Sequence, residues 1–187
     1  GISAAIEEIA SDFHNHSGPG GANRCPQRQT EIYRVATLWV LVAEDPIESL
    51  MLWIQGVLAR SKTKVILAAG SSGKMTTVST VEQVLSKRYR CYVAPYENID
   101  PRLSAARAIA ELRPEDDIAL IPVDVSRRSM LVRAVEALQP YAAIITAIHH
   151  ASLEDFPSIE AVAEEYRSIA ANISHQGVLI LNYDDDY

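Results

Sequence analysis

The chain has 187 residues, 48% of them hydrophobic, enough for one domain with a real core and at most a small appendage. Its 24 acidic and 17 basic residues give a formal net charge of −7, which argues against a general nucleic-acid or anionic-membrane surface. No apolar run approaches the roughly 18 residues that span a bilayer, no signal peptide is visible, and Cys25 and Cys91, far apart in sequence, read as reduced thiols of a cytoplasmic protein.

Residues 2–12 carry Ile2, Ala5, Ile6 and Ile9 at helical spacing and predict a short helix. Residues 13–30, FHNHSGPGGANRCPQRQT, are polar and glycine-rich and predict a loop. His14, His16 and Cys25 are metal-competent types, but nothing fixes a fourth ligand, so the solvated-loop reading stands. Ile32–Ala43, rich in Val, Leu, Trp and Tyr, predicts one strand that extends a sheet or pairs beside it. Asp45-Pro46 then opens a helix: Asp45 is a good N-cap, Pro46 suits the first turn, and Glu48 sits where a capping box puts its acid. Leu50, Ile54, Val57 and Leu58 give that helix its buried face.

The next stretch, KVILAAGSSGKMTT over Lys64–Thr77, organises the rest. Val65–Ala69 is a short apolar run with β-branched residues and predicts a buried strand. Gly70–Lys74 is a loop of small residues ending in a lysine, and the spacing of Val78, Val81 and Leu85 predicts a helix from Thr76 onward. Strand, glycine loop with lysine, and helix together describe a phosphate-binding loop. Glycines let backbone N–H groups curl round an anion, the helix N-terminus adds partial positive charge, and Lys74 adds a full one. The full Walker pattern would place glycine at Ala68 and a hydroxyl residue at Met75. The competing reading is a tight strand-to-helix turn with an exposed lysine.

Beyond the loop, strands and helices alternate. Strands are predicted at 90–94, 117–123, 142–146 and 177–181, and helices from Asp100-Pro101 to about Leu112, from a Ser126 cap with Met130, Leu131, Ala134, Val135 and Leu138 inward, and over Ser158–Ile173. The last has Ile159, Val162, Ala163, Tyr166, Ile169 and Ala170 on one face. This alternation predicts an α/β fold with a parallel sheet, helices on both faces, and the 65–69 strand at its centre, flanked by the strands at 117–123 and 142–146. Ligands of such sheets bind beyond the carboxyl ends of the strands. The candidates are therefore Gly70, Ser71, Ser72, Gly73, Lys74 and Thr76; Asp124 and Ser126; Ala147, His149 and His150; and Asn182, Asp184 and Asp185. Asp124 is the carboxylate placed to hold Mg²⁺ or its water, against the alternative of a helix-terminal charge. The adjacent histidines read as a surface loop.

GSSGKMTT, SKRYRCYV, the ALI strand followed by SRR, TAIHHASLEDFPSIEAVAEEYRSI and GVLILNYDDD, in that order and spacing, resemble the central ATP-binding domain of the Mur ligases. LVAEDPIESLMLWIQGVL resembles what precedes the loop there, and the resemblance covers about residues 40–187. The family member that adds the D-alanyl-D-alanine dipeptide is most similar. The resemblance implies a three-layer parallel sheet of the P-loop NTPase/Mur ligase central-domain type. It also implies ATP as cofactor, Mg²⁺ to offset charge, and carboxylate activation through an acyl phosphate attacked by an amine in cell-wall precursor synthesis.

Position by position the resemblance is uneven. Lys74 matches the loop lysine, Leu153 and Glu154 match, and Asn182, Asp184 and Asp185 match the N-x-D-D pattern. The hydroxyl after the lysine is Met75, with Thr76 and Thr77 close by. The metal-binding glutamate falls on Pro122, with Asp124 two residues later. The asparagine after the fourth strand is Ala147, the histidine before Leu-Glu is Ser152, and the lysine that becomes carbamylated is Tyr166. The implied roles are Lys74 and Asp124 as catalytic residues; Gly70, Ser71, Ser72, Gly73, Lys74, Thr76, Asn182 and Asp185 at the nucleotide; and Thr76 and Asp124 at a metal. Against an active ATP-dependent amide ligase or a fragment of one, the missing metal and ATP contacts make a degenerate domain, binding a nucleotide or phosphate anion without chemistry, the expected function, with a catalytically inactive scaffold or interaction module that keeps only the fold as the alternative. The expected organisation is a helix and loop over 1–31, a strand-helix lead-in over 32–62, and the ATP-binding domain over 63–187. A fragment or reduced relative is expected, lacking a C-terminal domain that another chain segment or partner would supply.

Overall fold

This computed structural model describes residues 45–96, 100–125, 130–149, 156–174 and 176–187, and the backbone of 30–35 and 38–43. The expected helix over 2–12, the loop with His14, His16 and Cys25, and Ser126, His150, Ser152, Leu153 and Glu154 lie outside the described residues. The chain divides into two compact units, Gly1–Ser49 and Leu50–Tyr187.

In the first unit, strands β1 (Thr30–Val35) and β2 (Leu38–Ala43) pair antiparallel, from Thr30↔Ala43 to Val35↔Leu38. This corrects the single strand expected over Ile32–Ala43: the two form a two-stranded sheet of their own. Helix α1 (Pro46–Arg60) begins as predicted, with the Asp45 carboxylate accepting the Glu48 N–H at 3.0 Å.

The second unit is a five-stranded parallel sheet of β3 (Lys64–Ala69), β4 (Cys91–Val93), β5 (Ile118–Pro122), β6 (Ala142–Ile145) and β7 (Val178–Leu181), in the order β4-β5-β3-β6-β7. The loop strand β3 is central, and its neighbours are the two expected. The connecting helices are α2 (Lys74–Leu85), α3 (Pro101–Glu111), α4 (Met130–Leu138) and α5 (Ile159–Ala171). Alternation along the strands sorts the core into two layers. Ile66 and Ala68 of β3 and Ile118 and Leu120 of β5 pack with Val78, Val81 and Leu85 of α2. Val65, Leu67, Ala69, Ala119, Ile121, Ala143 and Ile145 face α3, α4 and α5, with Met51 and Ile54 of α1. The sheet thus has helices on both faces, the three-layer arrangement expected. Each fully buried Leu or Ile of this core contributes roughly 1.5–3 kcal/mol.

Two details of the predicted faces change. Ala170 is exposed, whereas Glu165 is buried on the same helix. Met130 is only partly buried, and Ala137 takes an inward position on α4. Among the described residues no helix is long and apolar enough to cross a membrane.

Because β3 sends α2 to one face, and all later helices cover the other, the chain switches faces at the carboxyl end of β3. That end is where an open α/β sheet leaves a crevice.

Candidate functional site

The crevice is built on Gly70 and Gly73. Gly70 has φ +135, and a Cβ there would overlap the Thr146 hydroxyl and come within 3.0 Å of the Ala147 backbone, so only glycine fits. Gly73 has φ +82, again a left-handed position, and forms the N-cap of α2. Thr146 fastens the turn from β6: its hydroxyl lies within hydrogen-bonding reach of the Ala69 and Ser72 carbonyls, at 3.1 and 2.5 Å, and its N–H donates to Ala69 O. The Ser71 N–H donates to Ala147 O at 2.7 Å. The Ser71 hydroxyl accepts from the His149 N–H at 3.0 Å and lies 3.3 Å from the His149 carbonyl.

The N-terminus of α2 has no side-chain cap and no acid in its first turn. By contrast α1, α3 and α5 are capped by Asp45, Asp100 and Ser158. Among the described residues the N–H groups of Ser72, Gly73 and Lys74 have no protein acceptor. Open N–H groups at a helix start carry the partial positive charge that anions seek.

Lys74 opens α2, two residues before the predicted start, and it is buried at 6% exposure, which rules out the exposed-lysine reading of the turn. Its ammonium donates to the Gly70 carbonyl and lies 3.2 Å from Asp124 Oδ2, just beyond β5. The Tyr96 hydroxyl, beyond β4, donates to the same oxygen at 2.9 Å, and the Lys74 ammonium lies 5.5 Å from the Tyr96 ring centre. Asp124 Oδ1 accepts the Val125 N–H at 2.9 Å. Burial, then the hydrogen bond to Asp124 and its charge, push the Tyr96 phenol up to about 12. Gly73, Lys74, Met75, Thr76 and Tyr96 line an open cavity of about 190 Å³.

Tyr166 of α5 reaches the back of the loop. It is 1% exposed, and its hydroxyl stands beside the Gly70 backbone and Ser71 hydroxyl without a hydrogen bond of good geometry. Burial, with the Asp124 charge adding to it, raises its ionisation well above the usual phenol range, against the opposing pull of Ser71 and Gly70.

The other candidates lie at or beyond the ends of β5, β6 and β7. Asp185 Oδ2 accepts the Ile148 N–H at 2.8 Å, tying the end of β7 to the segment that carries His149. Asn182 and Asp184 are exposed and bonded to each other, Asp184 N–H to Asn182 Oδ1 at 3.2 Å. Pro122 is buried in β5 and Ala147 meets the loop through its carbonyl. Sequence reasoning did not place Tyr96 or Thr146 in the site.

The profile of the Mur ligase middle domain matches residues 68–187. The chain belongs to the Mur ligase family. The UDP-N-acetylmuramoyl-tripeptide–D-alanyl-D-alanine ligases of Bacillus subtilis and Escherichia coli are each 26% identical to it; the matches take in 78% and 95% of this chain and 32% and 38% of theirs. A crystal structure of MurF from Acinetobacter baumannii aligns with TM-score 0.71 at 26% identity, over 81% of this chain and 33% of that one. A MurF ligase from Thermotoga maritima in complex with ADP aligns with TM-score 0.71 at 19% identity, over 81% and 35%, and shows the shared fold. The chain thus spans about a third of the length of the relatives it matches.

A Mur ligase site implies Mg²⁺, and the donor set among the described residues does not fit it. Mg²⁺ demands oxygen ligands in near-octahedral array. Asp124 is engaged at both oxygens, by Lys74 and Tyr96 on one and Val125 on the other, and no contact among the described residues joins it to Thr76. Met75 is 42% exposed beside the loop and offers only a thioether. No three His, Cys, Asp or Glu come together as ligands among the described residues.

Proposed function

We propose that residues 63–187 form a nucleotide-binding domain of Mur ligase type that holds a phosphate group at the Gly70–Thr76 loop, and that this chain alone does not run the family's Mg²⁺-dependent ligase chemistry. Mur ligases are ATP-dependent, and a relative of the same fold is solved in complex with ADP. One observation carries the reading: Lys74 is buried at the uncapped N-terminus of α2, directly beyond the central strand. In this reading the backbone of Gly70, Ser71, Ser72, Gly73 and Thr76 surrounds the phosphate, Lys74 supplies charge, and Asn182 and Asp185 border the nucleotide. Asp124 serves as the counterion of Lys74 rather than as a metal ligand. Without a metal, charge on a transferring phosphoryl group is poorly offset, and turnover collapses.

Titration calorimetry of the chain with ADP and ATP, with and without Mg²⁺, tests this. Binding is expected to change little with Mg²⁺ and to fall at least about tenfold in Lys74→Ala, the loss of one charge-assisted contact. A phosphate-release assay is expected to show no Mg²⁺-dependent turnover. Turnover that needs Mg²⁺ and vanishes in Asp124→Asn would make Asp124 a metal ligand and this chain an enzyme. The second reading, an inactive scaffold, is favoured by the internal neutralisation of Lys74 by Asp124. Failure of ADP to bind the wild-type chain at all would select it.

A further inference from the structure

We infer that Tyr166 is a ligand-binding residue of the loop, its buried hydroxyl set to donate to an oxygen of the phosphate group held there; this rests on the phosphate-loop reading above. Buried polar groups nearly always have partners, and one that lacks them calls for an explanation. The Tyr166 hydroxyl has Ser71 and Gly70 beside it but no hydrogen bond of good geometry, although its residue is 1% exposed. Its ring is held by α5, whose Ile159, Val162, Ala163 and Ile169 are buried in the same core, so the hydroxyl is kept at the loop. It lies beside Gly70 and Ser71, the first two residues of the loop.

The charge balance of the site gives this donor its use. Lys74 is already paired with Asp124 at 3.2 Å, so the site brings no net positive charge to an incoming anion. Such an anion must be held largely by neutral donors, and the open N–H groups of Ser72 and Gly73 supply only part of them. A phenol adds an O–H without adding charge. Burial holds its ionisation above the usual range, so it remains a donor wherever the protein is folded.

The test uses the whole chain with ADP and inorganic phosphate as probes, in EDTA, by titration calorimetry, with thermal unfolding of the ligand-free protein alongside. Tyr166→Phe keeps the ring and removes one oxygen. It is expected to weaken both probes roughly fivefold, the worth of one neutral hydrogen bond, while the ligand-free Tm stays equal or rises, because an unsatisfied buried group is gone. Ile169→Val, on the same helix face, is the packing control. Undiminished affinity in Tyr166→Phe overturns the inference, and so does an equal loss in Ile169→Val, which would trace the effect to packing. Lys74→Ala separates this from the reading beneath it. Lost binding in Lys74→Ala with full binding in Tyr166→Phe overturns the tyrosine assignment alone. Undiminished binding in Lys74→Ala, or none in the wild type, overturns the loop reading and the tyrosine assignment with it.

Discussion

The Lys74 ammonium and the Asp124 carboxylate, from the residues beyond two neighbouring strands, lie 3.2 Å apart, with Tyr96 donating to the same carboxylate oxygen. The pair explains how a lysine can be 6% exposed at a helix start that also carries positive partial charge: burying that charge unpaired would be costly. It also means that the loop's cation is shared with an internal anion before any ligand arrives.

Asp124→Asn is therefore expected to act in two directions. Stability falls by about 1–2 kcal/mol, less than for a fully enclosed pair because Asp124 is 23% exposed. Metal-free ADP affinity rises about three- to tenfold, because Lys74 is released and a like charge removed. Chemical denaturation and calorimetry in EDTA measure the two. A loss of metal-free affinity would show that the carboxylate positions Lys74 for the ligand instead of competing for it.

Gly70→Ala is expected to destabilise the fold by roughly 2–4 kcal/mol, because φ +135 is nearly closed to other residues and the Cβ would press on the Thr146 hydroxyl and Ala147 backbone. Gly56→Ala, inside α1 with nothing within 4 Å of the added carbon, is expected to stabilise by about 0.5–1 kcal/mol. Urea unfolding of the two variants gives opposite signs if backbone conformation and space decide both.

Thr146→Val keeps the side-chain shape but removes the hydroxyl that reaches the Ala69 and Ser72 carbonyls. The expected cost is about 1–2 kcal/mol, and the effect on the loop should show as faster amide exchange at Ser71–Gly73 than at β3 itself. Equal protection of the loop in wild type and variant would mean that the Ser71 bonds to Ala147 and His149 suffice to hold it.

Much of this was legible in the residues. Short apolar runs separated by helical periodicity define the five parallel strands, and the small-residue loop at Gly70 marks which strand sits at the sheet's centre. The antiparallel pair β1–β2 was not, because the run from Ile32 to Ala43 holds no Gly, Pro, Asn or Asp to break it. In the site, Gly70, Gly73 and Lys74 announce themselves by type. Tyr96 lies three residues beyond β4, where the strand-end rule applies, yet a tyrosine carries no phosphate-loop signature. Thr146 looks like the last residue of a strand, and only its contacts with the Ala69 and Ser72 carbonyls show it fastening the turn. Tyr166 falls on the apolar face of α5, and periodicity records its ring without its hydroxyl.

The last expectation concerns alkali. The Tyr96 phenol is moved from an ordinary 10.0 to about 12, first by burial and then by Asp124. Burial and Glu111 push Tyr92, and burial and Asp124 push Tyr166, in the same direction. In each case the folded protein holds the proton more tightly than the unfolded chain. Above about pH 10 the unfolded state therefore binds fewer protons than the folded one, and stability falls as pH rises. For Tyr96 the contribution is fully present below pH 10 and is lost progressively as pH rises through about 12. Unfolding midpoints in urea should hold steady from pH 8 to near 10 and then decline. Tyr166→Phe removes one of the three phenols and should flatten that decline measurably, while Tyr183→Phe, at a residue 98% exposed, should leave it unchanged. An equal flattening from both substitutions would mean that the alkaline transition reflects net charge and not these three phenols.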